Sequence, residues 1–149
     1  AGNVCREGYE SRSISGHINV GARRHSEFLS VVWFTLGSPI ATPYLPFYLG
    51  MTEVPLEFAS TEAATIFGQL HLVLEGNPQY RPLVRRVWEN FEFSVFSESN
   101  ALERRVSALL DNGRQTEVHT LLNDFTTSNC DAALRTARQL IEKITRETD

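Results

Sequence analysis

Val31-Val32-Trp33-Phe34-Thr35-Leu36-Gly37-Ser38-Pro39 is the stretch on which the fold turns. Its apolar run is short, rich in β-branched and aromatic residues, and closed by a Gly-Ser-Pro breaker. It therefore reads as a strand covered on both faces, within Phe28 to Leu36. Upstream, Ser13 to Val20 alternates, with Ile14, Gly16, Ile18 and Val20 on one face and Ser15, His17 and Asn19 on the other. That is the period-2 pattern of a half-buried strand. The polar stretch Gly21 to Glu27 has a length that suits a hairpin, which predicts antiparallel pairing of the two strands.

Downstream, Ile40 to Gly50 carries Pro43 and Pro46 among Tyr44, Leu45, Phe47, Tyr48 and Leu49. Two prolines forbid a central strand or a helix, so the segment reads as an extended aromatic loop that some surface must cover. Beyond Pro55 the pattern turns helical. Ser60 caps a helix whose stripe is Ala63, Ile66, Phe67, Leu70, Val73 and Leu74, and Gly76-Asn77-Pro78 stops it. Pro82 sits in the first turn of a long helix that carries Val84, Val87, Trp88, Phe91, Val95, Leu102, Val106, Leu109 and Leu110 as far as Asp111-Asn112-Gly113. A shorter helix follows over Val118 to Phe125. Thr127-Ser128 then opens a last one with Asp131 in its first turn and Ala133, Ala137, Leu140, Ile141 and Ile144 inside. The helices from Ser60 onward are expected on one face of the sheet.

Composition limits the classes open to the chain. A 149-residue sequence that is 42% hydrophobic and 21% charged is that of one globular domain. No apolar run approaches the roughly 20 residues of a membrane helix, and Ala1 to Glu10 lacks the blocks of a signal peptide. Nothing in the sequence names a compartment. A net charge of −4 offers no general attraction to nucleic acid. Arg23-Arg24 and Arg85-Arg86 read as solvated faces or structural ion pairs.

A self-sufficient active site is not legible. His17, His25, His71 and His119 are scattered, with no pair at metal-ligand spacing. No glycine-rich phosphate loop and no Gly-x-Ser-x-Gly turn occurs. Cys5 and Cys130 form no metal or redox motif and are expected as free thiols. Glu62, Glu75, Glu89 and Glu92 read as solvated helix faces. Bottom-up, His17 is the histidine that stands out, on a strand and opposite the apolar face.

Cys5-Arg6-Glu7-Gly8, then a Ser-containing strand, then Val32-Trp33-Phe34-Thr35-Leu36-Gly37-Ser38-Pro39, resembles the C-terminal half of the dipeptidase family that includes lactic-acid-bacterial dipeptidases and secernins. The likeness continues through Pro43-x-x-Pro46-Phe47-Tyr48 and Gly50-Met51-Thr52-Glu53-Val54-Pro55. Residues 5–55 carry the specific part. The resemblance implies an N-terminal-nucleophile hydrolase, an αββα sandwich with a cysteine nucleophile whose α-amine is the general base. Glu7 stands where the family has His. Four residues precede Cys5 and a polar stretch follows it, so the catalytic nucleophile is expected on a segment upstream of this chain. Arg6 and His17 are the expected substrate-binding residues.

With the resemblance, these readings imply an α+β chain, a partial αββα sandwich with strands and aromatic loop over 1–55 and helices over 56–149. It is one domain or the C-terminal part of a larger one. The expected function is the C-terminal part of a thiol-dependent amide hydrolase, dipeptidase-like, acting on a peptide or small amide and inactive by itself. Neither cofactor nor metal is implied, and no nucleic acid or membrane is expected as partner. The competing reading is a non-catalytic α/β interaction module. Trp33, Phe34, Tyr44, Leu45, Phe47 and Tyr48 carry several hundred Å² of apolar area, since an aromatic buries roughly 150–250 Å². The upstream half of the same protein, or a homo-oligomer, is expected to cover it.

Overall fold

The computed structural model describes residues 15–148. The chain is α+β: a three-stranded antiparallel sheet followed by helices. Strands β1 (Ser15–Val20), β2 (Val31–Leu36) and β3 (Leu45–Tyr48) form a meander in the order β1-β2-β3. A one-turn helix α1 (Ser26–Leu29) lies in the β1–β2 connection. After β3 come α2 (Leu56–Ala59), α3 (Glu62–Gly76), a 3-10 turn over Pro78–Tyr80, α4 (Arg81–Asp111) and α5 (Gln115–Thr148).

The expected hairpin forms, pairing Ser15 with Leu36 through to Val20 with Val31. The expected loop does not: Leu45–Tyr48 is a third strand, at the edge of the sheet. Pro46 explains how. The Leu49 amide donates to the Ser30 carbonyl at 2.9 Å, so in the alternating antiparallel pattern Pro46, opposite Trp33, occupies a non-hydrogen-bonded site. Its missing N–H points away from β2 and costs the ladder nothing.

Strand β2 has cover on both faces, as its apolar run implies, and the two covers are different helices. On one face Phe34 meets Phe47, which meets Phe58 of α2, which meets Phe67 of α3. On the other, Trp33 packs against Phe96 of α4 with ring centroids 6.1 Å apart, and Tyr48 meets Phe125 of α5. The helices thus flank the sheet rather than lying on one face. The core divides the same way. Leu45 joins Ala63, Phe67, Leu70, Trp88 and Ala133, while Val31 and Tyr48 join Val106, Val118 and Leu122.

Strand β1 departs from the half-buried reading. Ile18 and Val20 are 53% and 49% exposed, and only Gly16 is partly covered. The aromatic segment departs in the opposite direction. Leu45, Pro46 and Tyr48 are buried and Tyr44 and Phe47 half-buried within this chain, so its apolar area is not the surface on which self-association was expected.

Two helices run longer than their polar residues suggest. Ser97 to Asn100 does not interrupt α4, because Ser99 and Asn100 donate to the Phe96 carbonyl at 2.8 and 3.0 Å. Likewise Thr127-Ser128 starts nothing: α5 runs on through it, and Asp131 lies mid-helix. Thr126 is occupied elsewhere, and Asn129 donates to the Phe125 carbonyl at 2.8 Å. Gly113, at φ 73°, ends α4 as the sequence requires, its N–H reaching the Leu110 carbonyl at 3.0 Å.

Gly50 is the tightest point between sheet and helices. A Cβ there would lie 2.7 Å from Leu122 Cδ1 and 2.9 Å from Phe28 Cα, the latter being backbone. Gly50→Ala is expected to destabilise the chain by roughly 1–3 kcal/mol, the usual cost of overpacking. Gly68→Ala, on an exposed face of α3 with nothing within 4 Å, is expected to add about 0.5–1 kcal/mol. Urea unfolding of both variants checks the pair.

Glu92 gives a second test. Burial pushes its carboxyl above the ordinary value, the Tyr44 amide bonding Oε1 at 2.8 Å pulls the other way, and Glu89 raises it further. The native state therefore holds this proton more tightly than the unfolded chain. The group's contribution is full in acid and is lost as pH climbs through 4.5 and beyond. Glu92→Gln keeps the acceptor oxygen. Its stability relative to wild type is expected to be smallest near pH 4 and to improve as pH rises. A difference constant with pH would overturn this.

Candidate functional site

Cys5, Arg6 and Glu7 lie outside the described residues. His17 is exposed on β1, opposite Phe34 in the register, and has no hydrogen bond or ion pair among the described residues. Cys130 is fully buried in α5 with a free thiol. Burial first, then the nearby Asp131 and Glu57, push that thiol up to about 12. A protonated, solvent-excluded sulfur is no nucleophile.

What the fold assembles instead is a cleft of about 580 Å³ between the β1–β2 connection and the C-terminal half of α4. The connection supplies Ala22, Arg23, Arg24 and Leu29. Helix α4 supplies Asn100, Glu103, Arg104, Ser107, Ala108 and Asp111, three and four residues apart, so one helical face lines the wall.

Asp111 is the centre of this arrangement. Its Oδ1 accepts from Arg24 at 3.0 Å and Oδ2 from the same guanidinium at 3.2 Å. His25 Nε2 lies 3.0 Å from Oδ1. A carboxylate oxygen of an ionised Asp only accepts, so Nε2 carries the proton. The Arg24 and Asp111 side chains are 71% and 46% exposed, and such pairs add little to stability. Their effect is positional, tying the connection to the end of α4. His25 pays for that in backbone strain. It sits at φ 51°, ψ 43°, a left-handed conformation uncommon outside glycine. The amides of Phe28 and Leu29, each 2.9 Å from its carbonyl, hold it there.

Glu103 is also engaged. The Tyr48 hydroxyl donates to its Oε1 at 3.0 Å. Burial, then the Glu103 charge, raise the Tyr48 pKa well beyond the phenolic range, so the hydroxyl stays a donor. Each cleft carboxylate thus accepts at least one hydrogen bond. Among the described residues Arg23 and Arg104 make no hydrogen bond or ion pair. The cleft presents cationic donors and, among the described residues, holds no cysteine. No group of three or more His, Cys, Asp or Glu is placed to hold a metal among the described residues, and no helix there is long and apolar enough to cross a membrane.

The sequence left Arg24 as either a solvated face or a structural ion pair and gave no partner. Residues 24 and 111 are 87 positions apart, and no local pattern links them. The one available signal was the polar spacing Asn100, Arg104, Ser107, Asp111 on the helix that was already recognised.

The thiol of Cys130 offers a direct check on which cysteine is chemically available. In a Cys5→Ser variant, a thiol reagent such as Ellman's is expected to react with Cys130 only as the protein unfolds. Rapid labelling under native conditions would show that the α5 core opens readily.

Comparison with protein-family models, with curated proteins and with solved structures finds no match to this chain.

Proposed function

We propose that this chain is the C-terminal part of a cysteine-type N-terminal-nucleophile amide hydrolase, dipeptidase-like, whose nucleophile lies on a segment upstream of Ala1. The observation that carries this reading is β1. Among the described residues it is bonded to β2 on one side only, all of it but Gly16 is exposed, and Ile18 and Val20 are about half exposed. No other strand among the described residues pairs with its outer edge. In the β1–β2 alternation the backbone groups of Ser15, His17 and Asn19 point outward, ready for a further strand. An upstream half that continues the sheet there would extend three strands toward the αββα sandwich of the resembled family.

The motif residues support the same reading through their structural use. Gly37 ends β2 at φ 107°, Pro46 sits at the tolerant edge site, Gly50 fills a place with no room for Cβ, and Pro55 is buried. Under this reading His17 and Arg6 contact substrate, a peptide or small amide. The exposed rings of Phe93 and Phe96, 77% and 57% open, add apolar surface and make self-association of the isolated chain the expected outcome.

The test compares the isolated 149 residues with the same chain joined to its upstream coding segment. Against dipeptides, the isolated chain is expected to match the buffer blank and the joined protein to release amino acids. Mass spectrometry of the trapped acyl-enzyme is expected to place the adduct upstream of residue 1. Activity of the isolated chain that vanishes in Cys5→Ala overturns the placement of the nucleophile. A joined protein without amidase activity favours the competing interaction module.

A further inference from the structure

We propose that the cleft between the β1–β2 connection and α4 is a binding site for a small oxyanion, a carboxylate or phosphate group, held by Arg23 and Arg104. The charge count gives the direction. Three arginines line the cleft against two carboxylates, Glu103 and Asp111, for a net of about +1 in formal charge. Among the described residues neither carboxylate forms an ion pair with Arg23 or Arg104. Asp111 is taken by Arg24 and His25, and one Glu103 oxygen by Tyr48.

The frame is also built before any ligand arrives. The Arg24–Asp111 pair and the His25–Asp111 contact fix the connection against α4. Arg23 is adjacent to that anchored pair, and Arg104 rises from a continuous helix. Two arginines on separately braced elements line one opening. A guanidinium presents a planar fork of donors that matches the paired oxygens of carboxylate or phosphate. Ser107 adds a neutral hydroxyl to the same wall. The strained backbone of His25 belongs to this frame: the chain holds an unfavourable conformation where it docks on Asp111. The site requires no upstream segment, so it stands or falls separately from the hydrolase reading.

The experiment is an amide chemical-shift titration of the full 149-residue chain with inorganic phosphate and, separately, with acetate, at ionic strength held constant by sodium chloride. Saturable shifts at Ala22, Arg23, Ser107 and Ala108 are expected with at least one probe. Response to phosphate alone assigns a phosphate group, to acetate alone a carboxylate, and to both the shared oxyanion chemistry. Arg23→Gln and Arg104→Gln are each expected to weaken the response about tenfold, the loss of one charge-assisted contact. Arg135→Gln, on an exposed position of α5 that does not line the cleft, is expected to leave it unchanged. Thermal unfolding of each variant confirms that it is folded. Shifts no larger than chloride produces overturn the proposal, as do shifts that weaken equally in Arg135→Gln.

Discussion

The structure depends on how the backbone of residues 41–53 finds its hydrogen bonds. This segment runs through the middle of the molecule with two prolines in it, and only four of its residues form a strand. A buried carbonyl or amide without a partner costs on the order of 1–3 kcal/mol, and the segment carries many of them. The helices supply what the sheet does not. Trp88 Nε1 donates to the Ala41 carbonyl at 3.0 Å, and Glu92 accepts from the Tyr44 amide at 2.8 Å. Thr126 donates to the Pro46 carbonyl at 2.9 Å, and Asn123 accepts from the Thr52 amide at 3.0 Å. His119 Nδ1 meets the Gly50 carbonyl at 2.6 Å, which fixes its proton on that nitrogen because a carbonyl only accepts. Among the described residues no buried side-chain nitrogen or oxygen is left without a partner.

That arrangement sets the asymmetry of the sheet. At the β3 edge, Pro46 directs its carbonyl outward and α5 covers it through Thr126, so the edge is closed. Among the described residues the β1 edge receives no helix. The same three strands thus have one side sealed by side-chain chemistry and one side offering backbone groups and half-exposed Ile18 and Val20. A closed edge resists pairing with other chains, and an open apolar one invites it. The functional reading follows this asymmetry, because an added strand has one place to go.

The cleft shows a different use of long-range contact. Its walls come from a connection near the start of the chain and from the last three turns of α4, joined by Asp111. The pairing adds little stability at such exposure, yet it decides where Arg23 and Arg24 sit relative to Arg104. Small energies fix position here, while the buried bonds of residues 41–53 fix the fold.

Much of the secondary structure was legible because it is written locally. Ser13 and Ile14 lie outside the described residues, but alternation over Ser15 to Val20, the apolar run Val31 to Leu36 and the helical stripes around Phe67 and Trp88 each follow from residue spacing alone. So do the stops at Gly76-Asn77-Pro78 and Gly113. The sequence also determined that β2 is covered on both faces, since only a doubly buried strand tolerates Val32, Trp33 and Phe34 in succession. What it did not determine was anything decided by partners distant along the chain. Leu45 to Tyr48 became a strand because β2 and α5 met Pro46 on its two sides. Thr127-Ser128 failed to start a helix because neighbouring polar side chains bonded helical carbonyls or β3 rather than capping. β1 stayed exposed although its alternation promised a buried face. The Arg24–His25–Asp111 cluster joined residues some 86 positions apart. Periodicity records which face of an element is apolar, but only the folded chain decides what meets that face, because burial and hydrogen bonding are settled between elements.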